Sequence, residues 1–133
     1  MRYSSWIWAP LRYDSNMRTK EYKELTEPMI TSVTKRFRAL SDKTRVRLLL
    51  RLKAGEHNVS SLAEAVGINQ SSASKHLRIL REAGLIQARH EGQQTFYAIA
   101  DQTLFDVCRI VCAGVVRAAK DHHRALVPSR SRR

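Results

Sequence analysis

The chain has 133 residues, which is enough for one compact domain with tails and too few for two domains. Its 24 lysines and arginines against 12 aspartates and glutamates give a net charge of +12, which favours a polyanionic partner, either nucleic acid or an anionic membrane surface. No apolar run is long enough to cross a bilayer, and the two cysteines do not suggest a disulfide framework, so a cytoplasmic protein without a membrane partner is expected.

The two ends of the chain differ from its middle. Residues 1–28 show no clean hydrophobic period and are predicted to form an irregular N-terminal arm, and residues 125–133 a basic C-terminal tail. Between them, apolar stripes with helical or strand periodicity alternate with residues that begin and end helices. We therefore predict one folded domain over residues 29–124.

The first two predicted helices are separated by Ser41 and Asp42. The first is predicted over residues 29–40, where apolar side chains recur on one face. Asp42 can accept hydrogen bonds from the free amides of a following first turn, so it is the predicted N-cap of the second helix. That helix is expected to reach about residue 54 and to end at Gly55.

A short joint separates the third and fourth predicted helices. The third is predicted over residues 61–66, because Ser61 begins a segment with the spacing of a capping box. Asn69 is the predicted cap of the fourth, over residues 70–83. Only residues 67–69 join the two helices, so they must cross steeply, and this is the geometry of a helix-turn-helix.

The outward face of the fourth helix is polar and slender. Its side chains are those of Gln70, Ser71, Ser72, Ser74, Lys75 and Arg78. A glutamine can pair bidentately with adenine and a serine can read either base edge, so this face predicts contact with the major groove of double-stranded DNA. An ordinary solvated face usually carries more glutamate, whereas the first acidic residue after Asn69 is Glu82.

Two short alternating stretches follow, over residues 85–89 and 95–99, and they predict a β-hairpin. Such a hairpin fits a wing whose tip lies beside the phosphate backbone. The side chains expected to contact phosphate there are Arg89, His90, Gln93 and Gln94. The alternative is a hairpin that only packs over the core. The acidic Glu91 at the tip counts against phosphate contact, but the wing remains the favoured interpretation.

The last predicted helix spans residues 102–124 and completes a mainly α-helical fold with the order ααααββα. Cys108 and Cys112 lie on it four residues apart, on one face. Together they could bind a thiophilic metal or metalloid ion, with further ligands from a partner subunit, or they could be oxidised. They also fall within the apolar stripe, where a free cysteine behaves as a small buried hydrophobe. The sequence leaves sensing and packing both open.

Four segments carry a family resemblance: ALSDKTRVRLL at 39–49, LAEAVGINQSSASKHL at 62–77, LREAGLI at 80–86 and TFY at 95–97. In this pattern the chain resembles the ArsR/SmtB family of winged helix-turn-helix repressors over roughly residues 30–123. The resemblance implies a winged fold, a homodimer formed through the first and last helices, and binding to a palindromic operator. It also implies release of DNA when an inducer binds.

The resemblance does not identify the inducer. Residues 57–61 match the stretch where the family's arsenic and cadmium sensors have a Cys-Val-Cys triplet, and they contain no thiol. Asp101 matches a ligand of the family's zinc and nickel sensors, but Thr103 stands in the place of a histidine. A further departure is Lys43, where the family often has proline.

We therefore predict a sequence-specific, DNA-binding transcriptional regulator, a homodimeric repressor that leaves its operator when a metal, metalloid or redox signal acts. No enzyme is expected, because no nucleophile–base pair, carboxylate dyad or phosphate-binding glycine loop stands out in the sequence. The alternative is a basic architectural module that binds nucleic acid without sequence choice and without an inducer.

Overall fold

The computed structural model describes residues 26–126 of the chain, with side chains described as far as residue 123. The helices are α1 Glu27–Leu40, α2 Lys43–Leu52, α3 Val59–Val66, α4 Gln70–Glu82 and α5 Thr103–Leu126, and the strands are β1 His57–Asn58, β2 Ile86–Glu91 and β3 Gln94–Ile99. The elements from α1 to β3 belong to one compact unit that ends at Asp101, and α5 belongs to a second. None of the described helices is long and apolar enough to span a membrane.

The predicted helices and hairpin are confirmed, with shifts at their ends. Most of the predicted arm, residues 1–28, and of the predicted tail, residues 125–133, lies outside the described residues. The first helix begins at Glu27, two residues earlier than predicted, because Pro28 is tolerated in a first turn where its missing amide donor is not needed. The last helix continues to Leu126.

Asp42 caps the second helix as predicted. Its Oδ1 accepts a hydrogen bond from the backbone amide of Arg45 at 2.9 Å, and this bond, more than any other interaction, lowers the pKa of the Asp42 carboxyl. The helix ends at Leu52, two residues before the predicted end. Gly55 follows with φ of 143°, a conformation that a residue with a side chain rarely adopts.

The Arg45 side chain joins the end of α1 to the start of α2. Its Nε donates to the carbonyl of Ala39 at 2.6 Å and its Nη2 to the carbonyl of Arg38 at 2.9 Å. These carbonyls belong to the last turn of α1, where the helix itself supplies no amide donors. The side chain is only 13% exposed, so a guanidinium removed from most of the solvent satisfies a helix terminus.

The prediction that Ser61 begins the third helix is wrong. The helix begins at Val59, and Asn58 is its N-cap, with the side chain accepting a hydrogen bond from the Ser61 amide at 2.8 Å. Ser61 is therefore the third residue of the helix. Asparagine caps as well as serine does, so capping preference alone could not distinguish Asn58 from Ser61.

The joint between α3 and α4 has the predicted geometry. Gly67 ends α3 with φ of 76°, in the left-handed region that glycine enters at little cost. The amides of Gly67 and Ile68 both donate to the carbonyl of Ala63, at 2.9 and 3.0 Å. Asn69 caps α4 as predicted, accepting from the Ser72 amide at 2.7 Å.

The sheet contains one strand more than the sequence predicted. The two-residue β1 pairs antiparallel with β3, and the strand order is β1-β3-β2. The hairpin is also longer than predicted, because Glu91 pairs with Gln94 and the loop shrinks to Gly92 and Gln93. Gly92 has φ of 59° at the position that type II′ hairpin turns give to glycine.

A leucine core holds the helix-turn-helix and the hairpin together. Its largest fully buried side chains are Leu48, Leu49, Leu52, Leu62, Leu77, Leu80 and Leu85. They come from α2, α3, α4 and the residue before β2, so the core holds α4 against α2, α3 and the start of the hairpin. Truncating one such leucine to alanine typically costs about 2–5 kcal/mol.

Replacing Arg45 by glutamine should lower the free energy of unfolding by about 1–3 kcal/mol, because two terminal carbonyls of α1 lose their charged donors. Urea unfolding followed by circular dichroism at one fixed protein concentration measures the change. The matched control is Arg47→Gln on the exposed side of the same helix, expected within about 0.5 kcal/mol of the unchanged chain. Equal effects of the two substitutions would show that the contacts of Arg45 contribute nothing specific.

Candidate nucleic-acid interface

The helix α4 has one apolar side and one polar side. Ala73, Leu77 and Leu80 are buried, whereas the predicted base-reading residues lie on the solvent side. Five of these are exposed, namely Gln70, Ser71, Ser74, Lys75 and Arg78. Ser72 is half-buried, and its backbone amide is held by Asn69. The sequence pattern therefore places five of its six predicted contacts where a ligand can reach them.

The amino-terminal ends of α3 and α4 meet at a hydrogen bond. The Gln70 Nε2 donates to the Ser60 Oγ at 2.7 Å. This bond orients the side-chain amide and leaves its Oε1 and one N–H free for an outside partner. Ser60 was not among the predicted contacts, because its relation to Gln70 depends on how the two helices cross.

A polar groove brings α4 and the hairpin together. Its lining includes Asn58, Ser60, Gln70, Ser74, Gln93 and Tyr97. The structure thus joins the predicted Gln70 and Ser74 with the predicted wing residue Gln93 on one concave surface. Gln94 and Thr95 line the same groove. A concave surface with amide and hydroxyl groups on both walls can donate to and accept from the same bound molecule.

Tyr97 lies beside both the groove and a basic patch. With Ser74, it borders a second depression that contains Lys75, Arg78 and Arg81. Neither Tyr97 nor Arg81 was predicted as a contact. Tyr97 is half-buried and pairs with Ala88 on β2, and its place beside the groove depends on this register, which the sequence does not show. Three cations next to a polar groove are the arrangement that binds phosphates beside bases.

The predicted wing cation Arg89 is held by carboxylates. It bonds to Glu56 and to Glu91, at 2.5 Å in each case. The hydrogen bond from Arg89, followed by its charge, lowers the pKa of Glu56. His90 is exposed, and its Nδ1 lies 3.1 Å from the Oγ1 of Thr95. Side chains alternate along β3, so Phe96, which pairs with Arg89, lies on the opposite face of the sheet from Tyr97.

The two cysteines of α5 are free thiols. Cys108 is half-buried and Cys112 is exposed. Burial, and to a smaller degree the neighbouring Cys112, raises the pKa of the Cys108 thiol. Within the part of the chain that the structure describes, no group of three or more potential ligands could hold a metal ion. Asp101, the residue that resembles a family ligand, bonds to Arg36 of α1.

The matching family model is described as a bacterial regulatory protein of the arsR family, and it covers residues 42–88, from the cap of α2 to β2. The regulator KmtR of Mycobacterium tuberculosis is 36% identical over 107 residues, which are 76% of this chain and 80% of that protein. The regulator CmtR of the same organism is 45% identical over 67 residues, which are 50% of this chain and 57% of that protein. Two further relatives are named for mercury resistance, in Streptomyces lividans, and for cadmium resistance, in Staphylococcus aureus.

Solved structures with this fold include a DNA-binding domain of Mb0332 from Mycobacterium bovis, a homodimeric winged helix-turn-helix. It is 32% identical with a TM-score of 0.56, and the match covers 76% of this chain and 89% of that chain. The chain spans only 41% to 57% of the length of the first curated relatives that it matches. The identity and coverage of KmtR confirm the resemblance inferred from the sequence, and the solved structure confirms the winged fold. The chain is therefore a member of the arsR family of bacterial regulatory proteins.

Proposed function

We propose that this protein is a sequence-specific regulator of transcription that binds double-stranded DNA as a homodimeric repressor. The observation that carries the proposal is the polar groove between α4 and the hairpin, with the basic patch of Lys75, Arg78 and Arg81 beside it. The groove offers donors and acceptors for base edges, and the patch offers positive charge for phosphates. No catalytic activity is proposed, since the relatives are named as regulators.

In this proposal α4 enters the major groove. Gln70 reads adenine with the amide atoms that Ser60 leaves free, and Ser71 and Ser74 contact neighbouring base edges. Lys75 and Arg78 neutralise phosphates on the flanking strand. At the tip of the hairpin, His90 and Gln93 donate to the adjacent backbone. A regulator that acts on chromosomal DNA works in the cytoplasm of a bacterium.

Exposed apolar side chains on two helices support the homodimer. On α1 they are Met29, Ile30, Val33 and Phe37, the last being 55% exposed. On α5 they are Ile110, Val111, Val115 and Val116, and Val115 is 64% exposed. Stripes of this kind usually mark an interaction surface, and a second copy would cover both. Two copies would present two α4 helices to successive major grooves about 34 Å apart, which requires a palindromic operator.

The net charge of +12 favours a second candidate, a basic module that binds any nucleic acid. Competition with unrelated DNA at fixed salt distinguishes the candidates. The sequence-specific regulator should prefer its own site by about a thousandfold or more. A module without sequence choice should show no preference.

We further propose a thiophilic metal or metalloid ion as the inducer, bound by Cys108 and Cys112. The exposed Cys112 supports access, and thiolates are the ligands that such ions prefer. The names of two relatives that refer to mercury and cadmium agree with this chemistry. Two thiols leave coordination sites open, so ligands from a second subunit or from solvent complete the site.

Gln70→Ala should weaken binding to a duplex that the wild-type chain enriches from a random library by about 1–3 kcal/mol, because adenine loses its bidentate partner. Binding to unselected DNA should stay nearly constant. Fluorescence anisotropy with both duplexes measures the two affinities, and Gln87→Ala, at an exposed glutamine of β2, is the control. Equal losses on both duplexes would identify Gln70 as a phosphate contact.

Val115→Asp should produce monomers that no longer bind the full palindrome, because the substitution puts an unpaired carboxylate into an apolar interface. Light scattering measures the mass, and Val115→Ala, which remains apolar, should stay dimeric. A dimer of unchanged stability in the Asp variant would remove α5 from the interface.

A Cys108→Ser, Cys112→Ser double variant should bind the enriched duplex as the wild type does, and it should no longer release DNA when cadmium or arsenite is added. Titrations with each ion and with peroxide compare the two proteins. If both proteins respond alike, or neither responds, the cysteines are packing residues and the inducer acts elsewhere.

A further inference from the structure

Arg89, in the middle of β2, is surrounded by partners on three sides. Its Nη2 lies 2.5 Å from the Oε1 of Glu56, and its Nε lies 3.3 Å from the Oε2 of the same carboxylate. Its Nη1 lies 2.5 Å from the Oε2 of Glu91. Its guanidinium carbon lies 4.9 Å from the centre of the Phe96 ring. The guanidinium thus donates to two different carboxylates, and its flat face contacts an aromatic ring.

The charges around Arg89 oppose a phosphate at this place. Glu56 and Glu91 together carry two negative charges against the one positive charge of the guanidinium. The hydrogen bonds that Arg89 donates to Glu56 first, and to Glu91 second, raise the pKa of Arg89, and the bond to Glu56 lowers the pKa of that carboxyl. Arg89 and Glu56 therefore stay charged at neutral pH. A phosphate would have to displace a carboxylate and then lie beside it, which like-charge repulsion disfavours.

The contacts of Arg89 connect β2 with the segment before β1, and these two segments do not pair with each other through their backbones. The strand order β1-β3-β2 puts β3 between them. Phe96 of β3 pairs with Asn58 on one side and with Arg89 on the other. The Arg89 side chain therefore crosses the Phe96 ring to reach Glu56, which directly precedes β1. These side-chain contacts connect β2 with the segment before β1.

The connected segment leads to the predicted base-reading residue. Asn58, two residues after Glu56, caps α3. Ser60, in the first turn of α3, holds the amide of Gln70. The segment that Arg89 contacts is thus joined by a short path of backbone and one hydrogen bond to the contact surface of α4.

We propose that Arg89 is a positioning residue for DNA binding, which fixes the hairpin relative to α3 and α4 through Glu56, Phe96 and Glu91 and does not contact phosphate. This role replaces the phosphate contact expected from the sequence. The proposal rests on the DNA-binding function proposed above. When the hairpin is held in place, α4 and the hairpin can contact one duplex at the same time. The selectivity between DNA sequences therefore depends on Arg89.

The salt dependence of binding tests whether Arg89 contacts phosphate. The duplex is about 30 base pairs enriched by the wild-type chain, titrated between about 50 and 200 mM potassium chloride. The matched control Arg78→Gln should reduce the slope of log affinity against log salt by about 0.9 per subunit, because one phosphate contact is lost. Arg89→Gln should leave the slope unchanged. An equal reduction in both variants would overturn the proposal.

The selectivity between duplexes separates positioning from a purely structural role. Arg89→Gln should lower the preference for the enriched duplex over unselected DNA by about threefold to tenfold, whereas a loss of folded protein lowers both affinities equally. Glu56→Gln should lower it to a similar degree, and the double variant should be little worse than either single one. Arg89→Lys, which keeps the charge and loses the fork, should recover only part of the preference. Full recovery by lysine, or additive losses, would contradict the proposal.

Amide hydrogen exchange distinguishes an incorrect role for Arg89 from an incorrect proposed function. Without any DNA, Arg89→Gln and Glu56→Gln should each accelerate exchange in the β2–β3 hairpin by about threefold or more, while exchange in α2 stays constant. If wild-type protein shows no sequence preference, the proposed function fails and so does the role of Arg89 in selectivity. If the preference exists but hairpin exchange is unchanged in both variants, only the role of Arg89 fails.

Discussion

Asn58 is at once the last residue of β1 and the N-cap of α3. Its backbone pairs with Phe96, its side-chain oxygen accepts from the Ser61 amide at 2.8 Å, and its Nδ2 donates to Gln94 at 3.2 Å. A strand therefore becomes a helix without an intervening loop, and the three-stranded sheet and the helix-turn-helix share one residue. The concave groove between them depends on this junction, because a flexible connection would let the two walls move independently.

The interactions that stabilise the unit from α1 to β3 differ from those that shape the groove. Burial of seven leucines supplies most of the stabilisation, since each contributes about 1.5–3 kcal/mol relative to exposure. The ion pairs of Arg89 are exposed, and exposed pairs contribute little to the free energy of unfolding. Their effect is geometric: a bidentate pair restricts orientation more than it stabilises. A substitution at such a pair can therefore alter binding in a protein that remains folded.

The sequence was sufficient for several signals that lay within one turn of chain, although the capping-box spacing at Ser61 misplaced the start of α3. The caps Asp42 and Asn69 and the polar side of α4 depend on neighbours three or four residues away, and they were predicted correctly. The strand β1 has two residues, too few for any period, and it was missed. The Glu56 partner of Arg89 lies 33 residues away, so the sequence presented Arg89 as a free cation. Ser60 and Tyr97 were missed for a similar reason. Ser60 approaches Gln70 only through the crossing of two helices, and Tyr97 lies at the site because of the register of the sheet.

Among the described residues, β1 and β2 are the edge strands of the three-stranded sheet, and each is short or charged. One edge is β1, whose two residues offer too few free amides and carbonyls to template another chain. The other is β2, which carries Arg89, His90 and Glu91 along its outer half. Charged side chains on an edge strand discourage pairing with a second sheet. Both edges thus resist edge-to-edge pairing, so copies of the chain that crowd together at high concentration are disfavoured from forming fibrils.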